Sequence, residues 1–243
     1  MIEIKKGNIF TTKCHTIVNT VNTVGVMGAG IAYEFKLRFP EMFEKYKKFC
    51  ENSQIKIGNL WIYKLTKYDD ENYEYILNFP TKQHWKYPTK IEYLELGLQK
   101  FVNTYKQKGI LSIAFPLLGA SKGGLSEDQS IGIMKKYLEK VDIPVEIWYF
   151  DPNAKDDLYE DFKNKFLNLD PQIIKEQSEL RIDLISKIKN ALQRDVINSM
   201  SGLLRVKGIG DVSLEKSFRF IKNYKNETLF DFYMSNKSLD ENI

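Results

Sequence analysis

Twice in this chain a short apolar run empties into a glycine-rich turn that leads directly into a helical pattern, and this arrangement constrains the fold more than any other feature. The first turn, residues 24–32, reads Val-Gly-Val-Met-Gly-Ala-Gly-Ile-Ala and follows Ile17, Val18 and Asn19. The second, residues 116–125, reads Pro-Leu-Leu-Gly-Ala-Ser-Lys-Gly-Gly-Leu and follows the run 112–115. A strand, a glycine turn and a helix N-terminus in succession bring backbone N–H groups and the helix dipole to bear on a phosphate. The first turn lacks both the Gly-x-Gly-x-x-Gly spacing of dinucleotide dehydrogenases and the Gly-Lys-Ser/Thr of a P-loop NTPase. Two such turns on one sheet suit a diphosphate held from both sides. Beside the first turn stand Asn19 and Asn22, amides that can bond ribose hydroxyls without adding charge beside phosphate.

The rest of the first 168 residues has the same alternating texture. Residues 2–6, 58–64, 73–79 and 145–150 are further short runs rich in Ile, Val, Tyr and Phe. Between them Ile31, Phe35 and Phe39 fall four apart on one helical stripe. Thr89-x-x-Glu92 and Ser126-x-x-Gln129 have the form of capping boxes that open two more helices. Strands alternating with helices predict an α/β domain over residues 1–168, whose ligands bind at the carboxyl ends of the strands. From residue 169 the pattern becomes wholly helical. Asp170-Pro171 opens a stripe of Ile174, Leu180, Leu184, Ile188, Leu192, Val196 and Met200 that predicts one long amphipathic helix. A glycine turn over 202–210, a second helix over 213–224 and an aromatic segment near 229–234 complete a separate helical module, 169–243.

Charge narrows the function classes. The chain carries 36 Lys and Arg against 32 Asp and Glu, a formal +4 over 243 residues, too little to coat nucleic acid by electrostatics alone. Contact with a polyanion must therefore be local. No apolar run reaches the roughly 20 residues of a membrane span, so a soluble, cytoplasmic protein without a membrane partner is expected. Cys14, Cys50, His15 and His84 do not have the spacing of a zinc site, and neither metal nor cofactor is expected.

The set of motifs resembles the macrodomain family. It comprises Gly7-Asn8-Ile9, Asn19-Thr-Val-Asn22, Gly25-Val-Met-Gly28-Ala-Gly30-Ile-Ala32, Asn78-Phe-Pro-Thr-Lys82-x-His84-Trp85 and Leu118-Gly119-Ala-x-x-Gly123-Gly124-Leu125. The first asparagine pair and Asn78-Phe-Pro-Thr-Lys82 are similar to the DarG-type branch, enzymes that remove ADP-ribose from DNA, and to hydrolases that remove terminal ADP-ribose from protein carboxylates. The resemblance covers residues 1–168 and implies a three-layer α/β/α domain with a mixed sheet.

It also assigns roles. Asn8 and Ile9 would meet adenine, and Phe150 would stack on it. Gly28, Ala29, Gly30 and Ile31 would form one diphosphate turn; Leu118, Gly119, Ala120, Ser121, Lys122, Gly123, Gly124 and Leu125 would form the other. Asn22 would lie near the distal ribose, and Asn19 and Thr81 are further ligand-binding candidates. Lys82 matches the lysine this branch uses as catalyst. An amine between Pro80 and the rings of His84 and Trp85 is open to desolvation, which lowers its pKa and frees a lone pair for the anomeric carbon C1″ of the distal ribose. Protein-directed relatives carry an aspartate just after the Gly-Leu of the second turn, where this chain has Ser126. Serine cannot serve as a carboxylate base, which favours the DNA-directed chemistry.

In the tail, Leu204-x-Val206-Lys207-Gly208-Ile209-Gly210-x-x-Ser213 resembles a helix-hairpin-helix turn. There Lys207, Gly208, Gly210 and Lys216 are candidates for a DNA phosphate contact, the alternative being a hairpin that only packs two helices. The expected function is an ADP-ribosyl glycohydrolase acting on thymidine-linked ADP-ribose in DNA, with the antitoxin role of its relatives and a cognate ADP-ribosyltransferase toxin as partner. The competing readings are a reader of ADP-ribose without turnover and a hydrolase of ADP-ribosylated protein or O-acyl-ADP-ribose.

Overall fold

The computed structural model describes residues 1–66, 71–151 and 153–224. Six strands form one sheet: β1 (Ile2–Gly7), β2 (Thr16–Asn22), β3 (Trp61–Lys64), β4 (Tyr75–Lys82), β5 (Ile113–Pro116) and β6 (Val145–Phe150), in the order β1-β6-β5-β2-β4-β3. All neighbours are parallel except β3, which runs antiparallel to β4 at the edge. The mixed α/β sheet is thus the one the sequence predicts. Ile17 and Val18, adjacent on β2, are both wholly buried, because helices cover both faces and leave no polar alternation on a central strand.

The two faces have separate cores. On one, α1 (Gly30–Arg38) and α2 (Pro40–Glu51) bury Phe35, Phe39, Met42 and Tyr46 against Ile17, Val21 and Ile76. On the other, α3 (Ile91–Thr104) and α4 (Glu127–Leu138) bury Leu94, Leu98, Phe101 and Met134 against Val18, Phe79, Phe115 and Ile147. Ser126 caps α4 through both halves of a capping box, each bond 3.1 Å. Thr89 does not cap α3, contrary to the expectation. That helix starts after Lys90, and the Thr89 side chain is buried beside the second glycine turn.

Beyond α5 (Asp157–Asn168) the described chain is all helical, but not as one long helix. It divides into α6 (Pro171–Ser178), α7 (Ile182–Leu192), a single turn α8 (Met200–Leu203) and α9 (Asp211–Asn223). Glu179 adopts a left-handed conformation, φ 58°, that ends α6, and a second break follows Leu192, leaving Val196 87% exposed. The predicted aromatic segment near 229–234 lies outside the described residues. Ile174, Ile185, Ile188, Leu192, Met200, Leu214 and Phe218 share one cluster with Tyr159, Phe162 and Phe166 of α5 and with Tyr33 and Leu37 of α1. Helix α1 therefore faces two cores, Phe35 and Phe39 toward the sheet, Tyr33 and Leu37 toward the tail. Among the described residues no helix is long and apolar enough to cross a membrane.

Candidate functional site

Five parallel strands end on the same side of the sheet, at Gly7, Asn22, Lys82, Pro116 and Phe150. All the first-domain residues singled out in the sequence lie at or just beyond those ends, apart from Asn19 and Thr81 inside β2 and β4. The neighbours β2 and β5 carry the two glycine turns, so the turns flank the centre of one cleft.

In the first turn Gly25 and Gly30 have φ of 78° and 58°. Ala29 offers α1 no side-chain cap, which leaves the first-turn N–H groups for an anion. The turn is held from below by Asn22. Its Nδ2 donates to Val26 O at 2.5 Å, and its Oδ1 accepts from Val24 N at 3.0 Å, Val26 N at 3.3 Å and the Tyr46 hydroxyl at 3.1 Å. Asn19 is wholly buried and donates to Asn78 Oδ1 at 2.9 Å. Both amides make bonds within the protein beneath the turn, and Asn19 Oδ1 is left buried without a hydrogen-bond partner among the described residues; the sequence pointed to the amides but not to these bonds with Tyr46 and Asn78.

The second turn has left-handed backbone at Gly119 (73°), Ser121 (51°) and Gly124 (88°). Such strain at a non-glycine residue is maintained where surrounding contacts fix it. Here Leu125 N bonds Gly119 O at 3.0 Å and Thr89 N bonds Gly123 O at 2.8 Å. A Cβ at Gly119 or Gly123 would fall 2.9 Å from Thr89 atoms, so Thr89, missed as a site residue, sets the close packing of this turn. Leu118 is buried behind it.

Lys82 reaches the cleft through a bulge. Val21 pairs with Pro80 and Asn22 with Lys82, so Thr81 is one residue extra on β4; its hydroxyl bonds Val21 O at 3.4 Å. The Lys82 amine is half-buried and donates to the main-chain carbonyl of Lys122 in the second turn. Burial, and secondarily the charge of Lys122, hold its pKa below the ordinary lysine value. Ser126, in the position of the relatives' aspartate, has its hydroxyl engaged in the α4 cap.

At the other end of the cleft Phe150 pairs with Gly7 in the register of β6 and β1 and is 72% exposed, an unburied ring beside Asn8 and Ile9. Asn8 Oδ1 accepts from Phe10 N at 3.0 Å, and its Nδ2 donates to Lys155 O at 3.2 Å. Buried Arg38 lies 4.3 Å from the Phe10 ring and bonds Asp157 at 2.7 Å. Burial and the nearby Asp156 carboxylate push Glu34, on the same helix as Arg38, up to about 8.

In the tail Gly208 has φ 88° and Gly210 is the N-cap residue of α9, as a hairpin requires. Lys216 is paired with Glu179 at 3.1 Å, and Asp211 occupies the first turn of α9. A hollow of about 400 Å³ lies elsewhere, lined by Phe49, Gln54, Ile55, Trp61 and Lys100, with no glycine turn converging on it. Among the described residues no group of three or more His, Cys, Asp or Glu could hold a metal ion.

A mixed, mainly parallel α/β sheet with two glycine turns and a half-buried lysine at the carboxyl ends defines a class, and comparison with known proteins gives the same one. The Macro domain family model matches residues 18–134. The macrodomain of Thermus aquaticus DarG is 38% identical, with a TM-score of 0.57 over 61% of this chain and 98% of that one. The chain belongs to the macrodomain family. Within the family it is similar to the DarG branch. A DNA ADP-ribosyl glycohydrolase of Thermus aquaticus is 40% identical over 152 residues, 63% of this chain and 41% of that protein. A DNA ADP-ribosyl transferase–DNA ADP-ribosyl glycohydrolase fusion of Thermosipho africanus is 35% identical over 160 residues, 60% of this chain and 41% of that protein. The solved structure of the Thermosipho africanus DarTG, in complex with ADP-ribose, matches with a TM-score of 0.57 at 35% identity over 61% of this chain and 42% of that one. The chain thus spans about two fifths of the length of the curated relatives it matches.

Proposed function

We propose that this protein is an ADP-ribosyl glycohydrolase that releases ADP-ribose from modified bases in DNA. The observation that carries the proposal is Lys82: an amine with lowered proton affinity, at the end of β4, bonded to the second glycine turn and level with the first. The two turns hold the diphosphate, Asn8, Ile9 and Phe150 receive the adenine, and the distal ribose lies against Lys82. The neutral amine attacks C1″, and the bond to the base breaks with its electron pair leaving on the base, which takes up a proton. Water then hydrolyses the lysine adduct, releasing ADP-ribose and restoring the amine. The reaction uses no cofactor.

A half-buried amine with depressed pKa is more than a passive reader of ADP-ribose needs. Ser126, held in a helix cap, supplies no carboxylate base at the position where protein-directed relatives carry an aspartate, which weighs against the protein-directed reaction. The relatives named for this activity on DNA support the substrate class, and the Thermosipho africanus fusion supports an ADP-ribosyltransferase as partner and an antitoxin role. Free thiols at Cys14 and Cys50 suit the cytoplasm. The tail hairpin is a second DNA contact in this reading, through Lys207 and the backbone at Gly208 and Gly210, with the charge of Lys216 already shared with Glu179.

The test is release of ADP-ribose from a thymidine-linked oligonucleotide, run beside glutamate-linked ADP-ribosylated protein. Lys82→Ala is expected to abolish release from the oligonucleotide while free ADP-ribose still binds within a few-fold. Normal turnover by that variant, or wild-type release from the protein alone, sinks the proposal.

A further inference from the structure

The turn between β4 and α3 carries a group of rings that the reaction above does not use. His84, Trp85 and Tyr87 follow Lys82 directly, with Trp85 50% and Tyr87 65% exposed. The His84 ring stacks on Trp85 with centroids 5.4 Å apart and planes inclined by 26°, and it lies 5.5 Å from Tyr87. The Lys86 amine is 5.1 Å from the Trp85 ring centroid. Rings this exposed forgo the stabilisation that burial gives an aromatic side chain.

The turn is also fixed in place. Tyr87 N bonds His84 O at 3.2 Å, and Lys86 N bonds His84 Nδ1 at 3.2 Å. One end is tied to the segment leading into the first glycine turn, since Gln83 O accepts from the Thr23 hydroxyl at 2.7 Å. The other is tied to the second glycine turn through Thr89 N and Gly123 O, 2.8 Å apart. The rings thus form a wall between the two turns, on the Lys82 side of the cleft. The segments that hold them are basic or uncharged up to Glu92, Glu127 and Asp128, where the adjoining helices begin. Residues 79–91 contain three lysines and no carboxylate, residues 116–126 contain Lys122 and no carboxylate, and residues 19–30 carry no charge.

From this juxtaposition we infer that His84, Trp85 and Tyr87 are a stacking platform for bases of the single DNA strand that carries the ADP-ribose, with Lys86 beside its phosphates. Aromatic faces interleaved with cations are what sequence-tolerant binding of single strands requires, because every base has a π-face and every linkage an anion. A polypeptide carrier does not repeat both at every residue. The inference rests on the DNA reading above and adds what holds the carrier in place.

The experiment measures Trp85→Ala, Tyr87→Ala and Trp85→Phe in two assays. In the first, KM and kcat are read on a short thymidine-modified oligonucleotide. In the second, each change is placed in a Lys82→Ala background, and binding of the same fluorescently labelled oligonucleotide is followed by anisotropy with free ADP-ribose affinity as control. Each alanine change is expected to weaken oligonucleotide binding by about 5- to 150-fold, the range for loss of one stacked base. Trp85→Phe should restore most of it, and free ADP-ribose affinity should not move. Unchanged oligonucleotide binding overturns the platform, as does an equal loss for free ADP-ribose, which would make the rings a wall of the ADP-ribose pocket. So does an equal loss on ADP-ribosylated glutamate peptide. If wild-type protein fails to turn over the oligonucleotide, the glycohydrolase reading falls, while the anisotropy series still decides the platform.

Discussion

Asn22 is expected from the sequence near the distal ribose and is seen holding the first turn, and Asn22→Ala measures the two roles apart. Its side chain takes part in four hydrogen bonds, to Val24 N, to Val26 N and O, and to the Tyr46 hydroxyl. Val24 and Val26 are 43% and 37% exposed, so water takes over part of what they lose. The buried Tyr46 hydroxyl keeps its bond to the main-chain oxygen of Asn22 at 2.7 Å. At about 1 kcal/mol net per bond, reduced by that recovery, the truncation should cost about 2–3 kcal/mol. In a chain of this size that lowers Tm by roughly 4–12 °C. The first turn must then be ordered by the ligand, and ADP-ribose affinity measured by calorimetry should fall about tenfold, because only the ordered fraction binds. Tyr46→Phe, deep beneath the cleft, should act in the same direction with about 1 kcal/mol. If Asn22→Ala abolishes ADP-ribose binding while Tm stays at the wild-type value, Asn22 is a direct ribose ligand and the staple argument is wrong.

Two further changes probe the cleft and its support. Lys82 has a depressed pKa, so its neutral, reactive fraction grows as pH rises and ADP-ribose release should climb with pH to a plateau reached below the ordinary lysine range. Lys122→Ala removes the like charge but keeps the carbonyl that Lys82 bonds, so the rise should move to higher pH; an unmoved profile means that Lys122 does not act on Lys82. In Gly97→Ala the new Cβ on α3 would fall 2.2 Å from Phe79 Cζ, three residues before Lys82. Such overpacking should cost about 3 kcal/mol, and a urea midpoint equal to wild type would show that α3 and β4 do not pack this closely.

The cleft was legible in the sequence because its parts are local. Each glycine turn stands next to the strand that presents it, and the lysine follows its own strand by no more than a bulge. What was not legible depends on contacts between distant segments. Thr89 three residues before Glu92 has the spacing of a cap, but packing against Gly119 and Gly123 draws it under the second turn. Asn19 and Asn22 read as ligand amides because a polar residue in an apolar run signals a site, and nothing local reveals that they also bond Asn78 and Tyr46. The tail stripe continued past Glu179 in register with one helix, yet a left-handed residue costs little when the helices on either side bury their faces separately. Val196 kept the period and lost the burial.

Helix α1 presents the first glycine turn at its start, and its flanks belong to different cores, one made with the sheet and one with the tail. Near its end Lys36 pairs with Glu215 of α9, and Lys222 donates to Arg38 O at 3.3 Å. The tail and the first glycine turn thus share α1 as a common support. Any linkage between the two is reciprocal: a partner that docks on the tail and changes the affinity for ADP-ribose has its own affinity changed by ADP-ribose by the same factor. In this architecture the tail is packed on the helix that opens at the first glycine turn, not merely attached beyond the sheet.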